Sequence, residues 1–278
     1  MSIFNDALGD ELKHHENIES SRSGAIGQPV VVRVDGVGFS KFTRGFSRPF
    51  DARIAEAMDE ACVAVIERVQ PVLGYTQSDE ITFVFWDPLN EIAYGGRLQK
   101  LASVCAAVAT GAFLKAAQRL FPERVEAFTP IFDGRAHALD YELAAKNVEW
   151  RELDARRNAV SMAAHAVFGH SPLNGKSPAD MKEMLAVEGI DYMSDYPERF
   201  KRGAFFRRRK VLMERTPEEL ARIPERFRAQ AAAAKERTMT VRLEKVPPLS
   251  IVENLEGFVF LDEAPIAPER PFAFAVTP

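Results

Sequence analysis

Val30-Val31-Val32-Arg33-Val34-Asp35-Gly36 runs a β-branched, apolar stretch straight into a carboxylate and a glycine. A run that is apolar at odd and even positions alike fits a strand covered on both faces, a central strand rather than an edge. Asp35 then stands at the tip of a buried strand, where an ionised group is costly unless something answers its charge. Further along, Gly74-Tyr75-Thr76-Gln77-Ser78-Asp79-Glu80 turns into a second apolar run, Ile81-Thr82-Phe83-Val84-Phe85. Two strand ends therefore carry acids, and Asp35, Asp79 and Glu80 are the candidate catalytic residues.

The stretches around these two set the topology. Asp51 is placed to cap a helix whose apolar positions Ile54, Met58, Ala61, Cys62, Val65 and Val69 recur at gaps of three and four, and Pro71 stops it. Strands over 72–77 and 81–86, a helix over Leu98–Leu120 and a strand from Phe132 to Leu139 follow, so the order is βαββαβ. A right-handed crossover makes the first two strands parallel and returns the third beside the first, which brings Asp35 and Asp79 to one sheet edge.

The expected fold is α+β: a ferredoxin-like βαββαβ antiparallel sheet, with its helices on one face, in residues 1–145. A mainly helical region, 146–278, follows. That region contains a helix over 150–168, helix starts at Ser177 and Thr216, and a restart at Pro224. It ends in a strand and a proline-rich extended tail. A short helix is expected around Asn5 to His15, with loops over 20–27 and 39–50.

Composition narrows the class. The 278 residues are 46% hydrophobic and 27% charged with a formal net charge of −4, which excludes a uniformly basic coat but not a local patch. Cys62 and Cys105 sit in apolar helical patterns, so neither a disulfide framework nor a cysteine metal site is expected. Residues 1–20 have no apolar targeting core, and the weakly polar run Leu101–Leu114 reads as a buried helix, so a cytoplasmic protein without a membrane span is expected. His137 and His165 read as structural.

Between Arg199 and Lys210 seven residues are basic and none acidic. The ordinary explanation is a solvated charged face, but in a chain of negative net charge such a strip is also where a phosphate backbone would be drawn. Arg207, Arg208, Arg209 and Lys210, with Arg156 and Arg157 on the preceding helix, are the candidate RNA contacts. Phe200, Phe205 and Phe206 either stack bases or bury the strip against the sheet.

Two ionised carboxylates on one edge need a shared proton or cations. Mg²⁺ is the usual answer where phosphates are present, since it accepts two carboxylates and a backbone carbonyl and completes its shell with water. Two such ions can serve the attacking and leaving oxygens of a displacement. No glycine loop of the Walker type is present, so a triphosphate would be held by metals and the loop after the first strand.

Arg33-Val34-Asp35-Gly36, Phe46-Ser47-Arg48-Pro49-Phe50-Asp51, Gln77-Ser78-Asp79-Glu80, Phe132-Asp133-Gly134-Arg135 and Lys201-Arg202-Gly203 occur in an order and approximate spacing that resembles the tRNA-His guanylyltransferase superfamily, over residues 28–215. The resemblance implies a palm like that of DNA polymerases and nucleotide cyclases. It also implies nucleotide addition in the 3′-to-5′ direction, at the 5′ end of a tRNA activated by ATP or GTP. Asp35, Asp79 and the Gly36 carbonyl would hold two Mg²⁺ ions, with Glu80 in support. Asp35, Gly36, Val37, Gly38, Phe39 and Ser40 would wrap the triphosphate, and Ser78 would contact phosphate. Arg48 stands where the family often has lysine, and Arg202 is a further candidate for the triphosphate.

Relatives that modify tRNA-His carry His-Ile-Asn-Asn where this chain has Arg156-Arg157-Asn158-Ala159, and only Asn158 is retained. That departure resembles the bacterial and archaeal "like" proteins that repair truncated tRNA 5′ ends. The same resemblance implies a homo-oligomer, a tetramer. Two alternatives stay open: a nucleotide cyclase, which would form a cyclic product without RNA, and a non-catalytic RNA-binding protein, whose RNA affinity would survive Asp79→Ala.

Overall fold

A computed structural model describes residues 7–268. The helix expected from Asn5 is seen from Ala7 to Ser20, its expected start lying outside the described residues, as does the proline-rich tail beyond 268. Among the described residues six strands form one sheet: β1 Val30–Gly36, β2 Leu73–Gln77, β3 Glu80–Phe85, β4 Phe132–Ala138, β5 Ala204–Leu212 and β6 Glu236–Arg242. Their order is β4-β1-β3-β2-β5-β6, with every neighbouring pair antiparallel. The first four strands reproduce the expected βαββαβ arrangement, and β1 lies inside the sheet with Val30, Val32 and Val34 fully buried.

The alternation of side chains along a strand divides the core in two. Val32, Val34, Ile81 and Phe83 point to the face covered by the helices Ala52–Val69 and Leu98–Leu120, where Met58, Cys62, Val65, Ile66 and Phe113 complete the packing. Asp51 caps the first of these helices, its Oδ1 accepting from the Arg53 N–H at 3.1 Å. Leu98–Leu120 is long and apolar enough to cross a membrane by length and composition, but its buried side is part of this core. It lies against β4 so closely that a Cβ on Gly134 would come within 2.4 Å of the Ala102 carbonyl oxygen.

The other face, carrying Val31, Leu73, Tyr75 and Val84, is covered by Ala144, Ala145, Val148 and Ala155 of the helix Tyr141–Phe168 and by Phe258 and Val259 of the helix Leu255–Phe260. Three corrections follow. The helix expected from Trp150 begins at Tyr141, so a division at 145/146 falls inside it. The region after 145 also contributes β5 and β6 to the same sheet, and where an extended tail was expected Leu255–Phe260 is helical. Finally, the loop expected over 39–50 holds a short helix, Phe39–Phe42.

A third cluster joins Ala159, Val160, Ala163 and Ala164 of the long helix to Leu173, Met181, Leu185, Tyr192 and Phe200. The helix Pro178–Val187 starts in a capping box. There Ser177 Oγ accepts from the Asp180 N–H at 3.2 Å, and Asp180 accepts from the Ser177 N–H at 2.8 Å. Thr216 and Glu219 build the same device at Pro217–Ala221, as the sequence pattern indicates. Each such cap stabilises its helix by ~1 kcal/mol.

Candidate active site

The tip of β1 sets three carboxylates side by side. Asp35 pairs in register with Glu80 on β3 and with Asp133 on β4. Residues in register share a face of the sheet. Two positions back on β1, Arg33 donates from Nη2 to Asp35 Oδ2 at 2.9 Å and brings Nε to 3.3 Å from Glu80 Oε2. From the helix Tyr141–Phe168, Arg151 grips both oxygens of Glu80, its Nε lying 2.6 Å from Oε1. Burial pushes the Glu80 pKa up, and the two guanidiniums only partly offset it.

The turn between β2 and β3 supplies the second acid. Ser78 takes a left-handed backbone, φ 51°, and its Oγ donates to Asp79 Oδ1 at 3.1 Å. The Gly36 N–H donates to the Asp79 carbonyl oxygen at 3.0 Å, so the two strand tips are joined by main chain. Burial raises the Asp79 pKa, and the neighbouring Asp35 charge adds to it.

The donors present suit a hard cation. Two carboxylates and the Gly36 carbonyl are the oxygen set that Mg²⁺ takes, and Asp133 Oδ1 is buried without a hydrogen-bond partner beside them. Among the described residues no three His, Cys, Asp or Glu side chains close a metal site by themselves. Glu80 is held by Arg151, so the remaining positions of an ion here would fall to water and phosphate.

A cavity of about 590 Å³ opens beside Asp79. Its lining takes Ser40, Arg44 and Arg48 from the loop after β1, Gln77 and Ser78 from the turn, and Met162 and His165 from the long helix. His170 also lines it, with its ring 4.5 Å from that of His165. His165, expected to be structural, faces this space. Phe39 is turned the other way, its ring packed on Phe42, Phe113 and Phe132, so of that residue only the backbone is available to a ligand. Gly38 supplies the left-handed turn, φ 62°, that starts the short helix, and Val37 is exposed.

Other candidates lie elsewhere. Arg202 turns away from the cavity, donating from Nε to Glu152 Oε1 at 2.6 Å and from Nη1 to the Val246 carbonyl at 2.8 Å; Glu152 is fully buried and also accepts from the Leu249 N–H. Arg207 is buried too. It donates to the carbonyls of Val72, Phe258 and Val259 and to Asp262, and so clamps the helix Leu255–Phe260 to the sheet instead of facing RNA. Arg209 grips the same Asp262, and Arg208 points toward Glu67, leaving Lys210 exposed. The strip is a strand whose alternate arginines are consumed by the fold, and Phe200, Phe205 and Phe206 are buried with it.

On the long helix, Arg157 and Asn158 both reach Asp154, at 3.3 and 3.2 Å, and Arg156 reaches Ser250 at 3.4 Å. Arg151 was not a sequence candidate. The signal for it was a charged residue at an inward helical position, between Val148 and Ala155.

The family model for tRNAHis guanylyltransferase matches residues 11–140. The chain is 30% identical over 200 residues to the tRNA(His) guanylyltransferase of Schizosaccharomyces pombe, covering 66% of this chain and 75% of that protein. A bacterial tRNA(His) guanylyltransferase-like protein in complex with ATP superposes with a TM-score of 0.73 at 29% identity, over 91% of this chain and 99% of its own. One in complex with GTP gives 0.66 at 25% identity, over 92% and 98%. With the motif residues gathered at one sheet edge and relatives matching across most of its length, the chain belongs to the tRNA(His) guanylyltransferase family of nucleotidyltransferases.

Proposed function

We propose that the chain is a Mg²⁺-dependent 3′-to-5′ nucleotidyltransferase that adds nucleotides, GTP favoured, to the 5′ end of tRNA or tRNA-like RNA. The observation that carries this reading is the main-chain bond from Gly36 to Asp79, which ties the strand end bearing Asp35 to Asp79, itself on the wall of a cavity lined by Arg44, Arg48 and Ser78. The ATP and GTP complexes of its structural relatives support a triphosphate as the occupant.

In this reading the RNA 5′-monophosphate is first joined to a nucleotide from ATP or GTP, with release of pyrophosphate. The 3′ hydroxyl of the incoming nucleotide then displaces the activating nucleotide. Bound Mg²⁺ would supply charge neutralisation for the phosphates and a lowered pKa for the attacking hydroxyl. Asp35, Asp79 and the Gly36 carbonyl would hold it. Arg48 offers two donors to a phosphate where lysine would offer a point charge, and Ser78 presents its hydroxyl beside Asp79. Arg33 and Arg151 fix Glu80, keeping the third acid from competing for the cation. Arg156 and Arg157 in place of the His-Ile pair support repair of truncated 5′ ends over strict tRNA-His recognition.

The test is extension of a tRNA lacking its first 5′ nucleotide, with Mg²⁺ and labelled nucleotides. The native chain extends the 5′ end, and Asp35→Ala and Asp79→Ala do not. No extension across several tRNAs would remove the reading.

A further inference from the structure

Among the described residues the chain keeps one tryptophan inside and one half outside. Trp86 donates its indole N–H to the Gly27 carbonyl at 3.0 Å and packs against Tyr141 and Phe260. Trp150, on the helix Tyr141–Phe168, is 50% exposed. A single exposed apolar side chain is ordinary on a protein surface, and several others stand exposed here, so what distinguishes Trp150 is what its ring touches.

The Arg151 guanidinium carbon lies 4.6 Å from the Trp150 ring centroid, and the same guanidinium grips Glu80, the register partner of Asp35. The indole is thereby held by a cation that is itself anchored in the carboxylate site, while the residue stays exposed. Two nearby guanidiniums are paired with carboxylates yet keep most of their surface free for a phosphate. Arg135, 3.6 Å from Asp133 and 65% exposed, stands in register beside Arg33 on the face of the sheet that bears Asp35, and Arg157, 3.3 Å from Asp154 and 60% exposed, lies two turns along the helix from Trp150. An apolar protein partner would meet these guanidiniums at a desolvation cost, whereas a nucleic acid answers them with phosphates and the ring with a base.

We infer that Trp150, backed by Arg151, is a stacking platform for a base at the 5′ end of the RNA substrate, holding that end against the carboxylate edge. The inference rests on the RNA-end reading above and adds to it the residue that positions the RNA. Stacking needs only a π-face, so the platform tolerates any terminal base, as a repair enzyme requires. Trp150 lies one helical position from the arginine that orients Glu80, so a base seated on the ring is registered to the reacting centre and not merely retained by charge.

The sequence holds only two tryptophans, so Trp86→Phe leaves Trp150 as the single emitting indole. Titrating this full-length variant with a tRNA transcript lacking its first 5′ nucleotide should quench the emission. The complementary variant Trp150→Phe should bind the RNA with little change in Trp86 emission. In steady state, Trp150→Ala should raise KM for the RNA about tenfold while KM for GTP stays at the native value, and Trp150→Phe should remain within about threefold of native.

Unchanged emission from Trp150 on RNA saturation overturns the platform and leaves the nucleotidyltransferase reading intact, as does an unchanged KM for RNA in Trp150→Ala. Emission that shifts with protein concentration in the absence of RNA assigns the ring to a contact between copies and likewise overturns it. A native chain that neither binds nor extends the transcript overturns both.

Discussion

The Gly36 N–H meets the Asp79 carbonyl oxygen at 3.0 Å, and this bond makes one site of two strand ends. Because it is a main-chain bond, replacing the Asp79 side chain leaves it standing. Activity and stability should therefore separate. Burial and Asp35 both raise the Asp79 pKa, so its ionised form costs stability at neutral pH. Asp79→Asn should lose extension activity by at least ~100-fold, in the range seen when a group that stabilises transition-state charge is removed. Its thermal midpoint should equal or exceed the native one. A clear fall in midpoint on differential scanning would contradict the assignment.

Arg151 offers a second test, at a pair whose side chains are 13% and 14% exposed. Removing Arg151 leaves the buried Glu80 only the longer contact with Arg33, at 3.3 Å, and breaking such a pair costs up to about 3 kcal/mol. Arg151→Ala should therefore be strongly destabilised in urea. Arg151→Ala with Glu80→Gln should recover part of that loss, because the under-compensated buried charge is gone. If the two effects simply add, the pair is not a coupled unit.

Acid should loosen the clamp that Arg207 and Arg209 make on Asp262. Burial pushes the Asp262 pKa up, but the hydrogen bonds from Arg209 and Arg207 outweigh it and the net shift is downward. A depressed folded pKa means the stabilisation is complete above the unfolded value, ~3.9. It is then lost as pH falls through the lower folded value. Protection against hydrogen exchange at the Leu255–Phe260 amides, taken relative to the intrinsic rate at each pH, should fall in that window in the native chain. In Asp262→Asn that protection should already be low at neutral pH and no longer respond to acid there.

Gly134 tests the packing of β4. A methyl group there would press on the Ala102 carbonyl, which belongs to helix backbone and cannot swing aside. Gly134→Ala should cost ~2 kcal/mol or more, read as a lowered urea midpoint. Gly111→Ala, where nothing stands within 4 Å, should be neutral or mildly stabilising through helix propensity.

The parts of the fold legible beforehand are those in which one period dominates. Val30 to Val34 is valine at every position but Arg33 and lies between two neighbours, and the stripe from Ile54 to Val69 and the run Leu98–Leu120 give helices with the expected ends. β5 was illegible because its inward arginines look solvated in sequence; only the fold reveals that Arg207 has carbonyls and an acid to bind. Leu255–Phe260 hides behind Gly257 and the prolines that flank it. At the site, the meeting of Asp35 with Asp79 followed from strand order alone. The cavity wall of Met162, His165 and His170, and the grip of Arg151 on Glu80, depend on how a helix distant in sequence lies across the sheet.

The clamp of Arg207 on Phe258, Val259 and Asp262 has a temporal meaning as well. A chain emerges from the ribosome N-terminus first, and its domains begin folding in that order. The strands that carry Asp35 and Asp79 are all made before residue 90, and the helix Tyr141–Phe168 covers part of their second face, but the share of Leu73 and Tyr75 that packs with Phe258 and Val259 waits for residues 255–262. The acids are thus in place early, while the closing of the sheet's second face waits for the last quarter of the chain to be made.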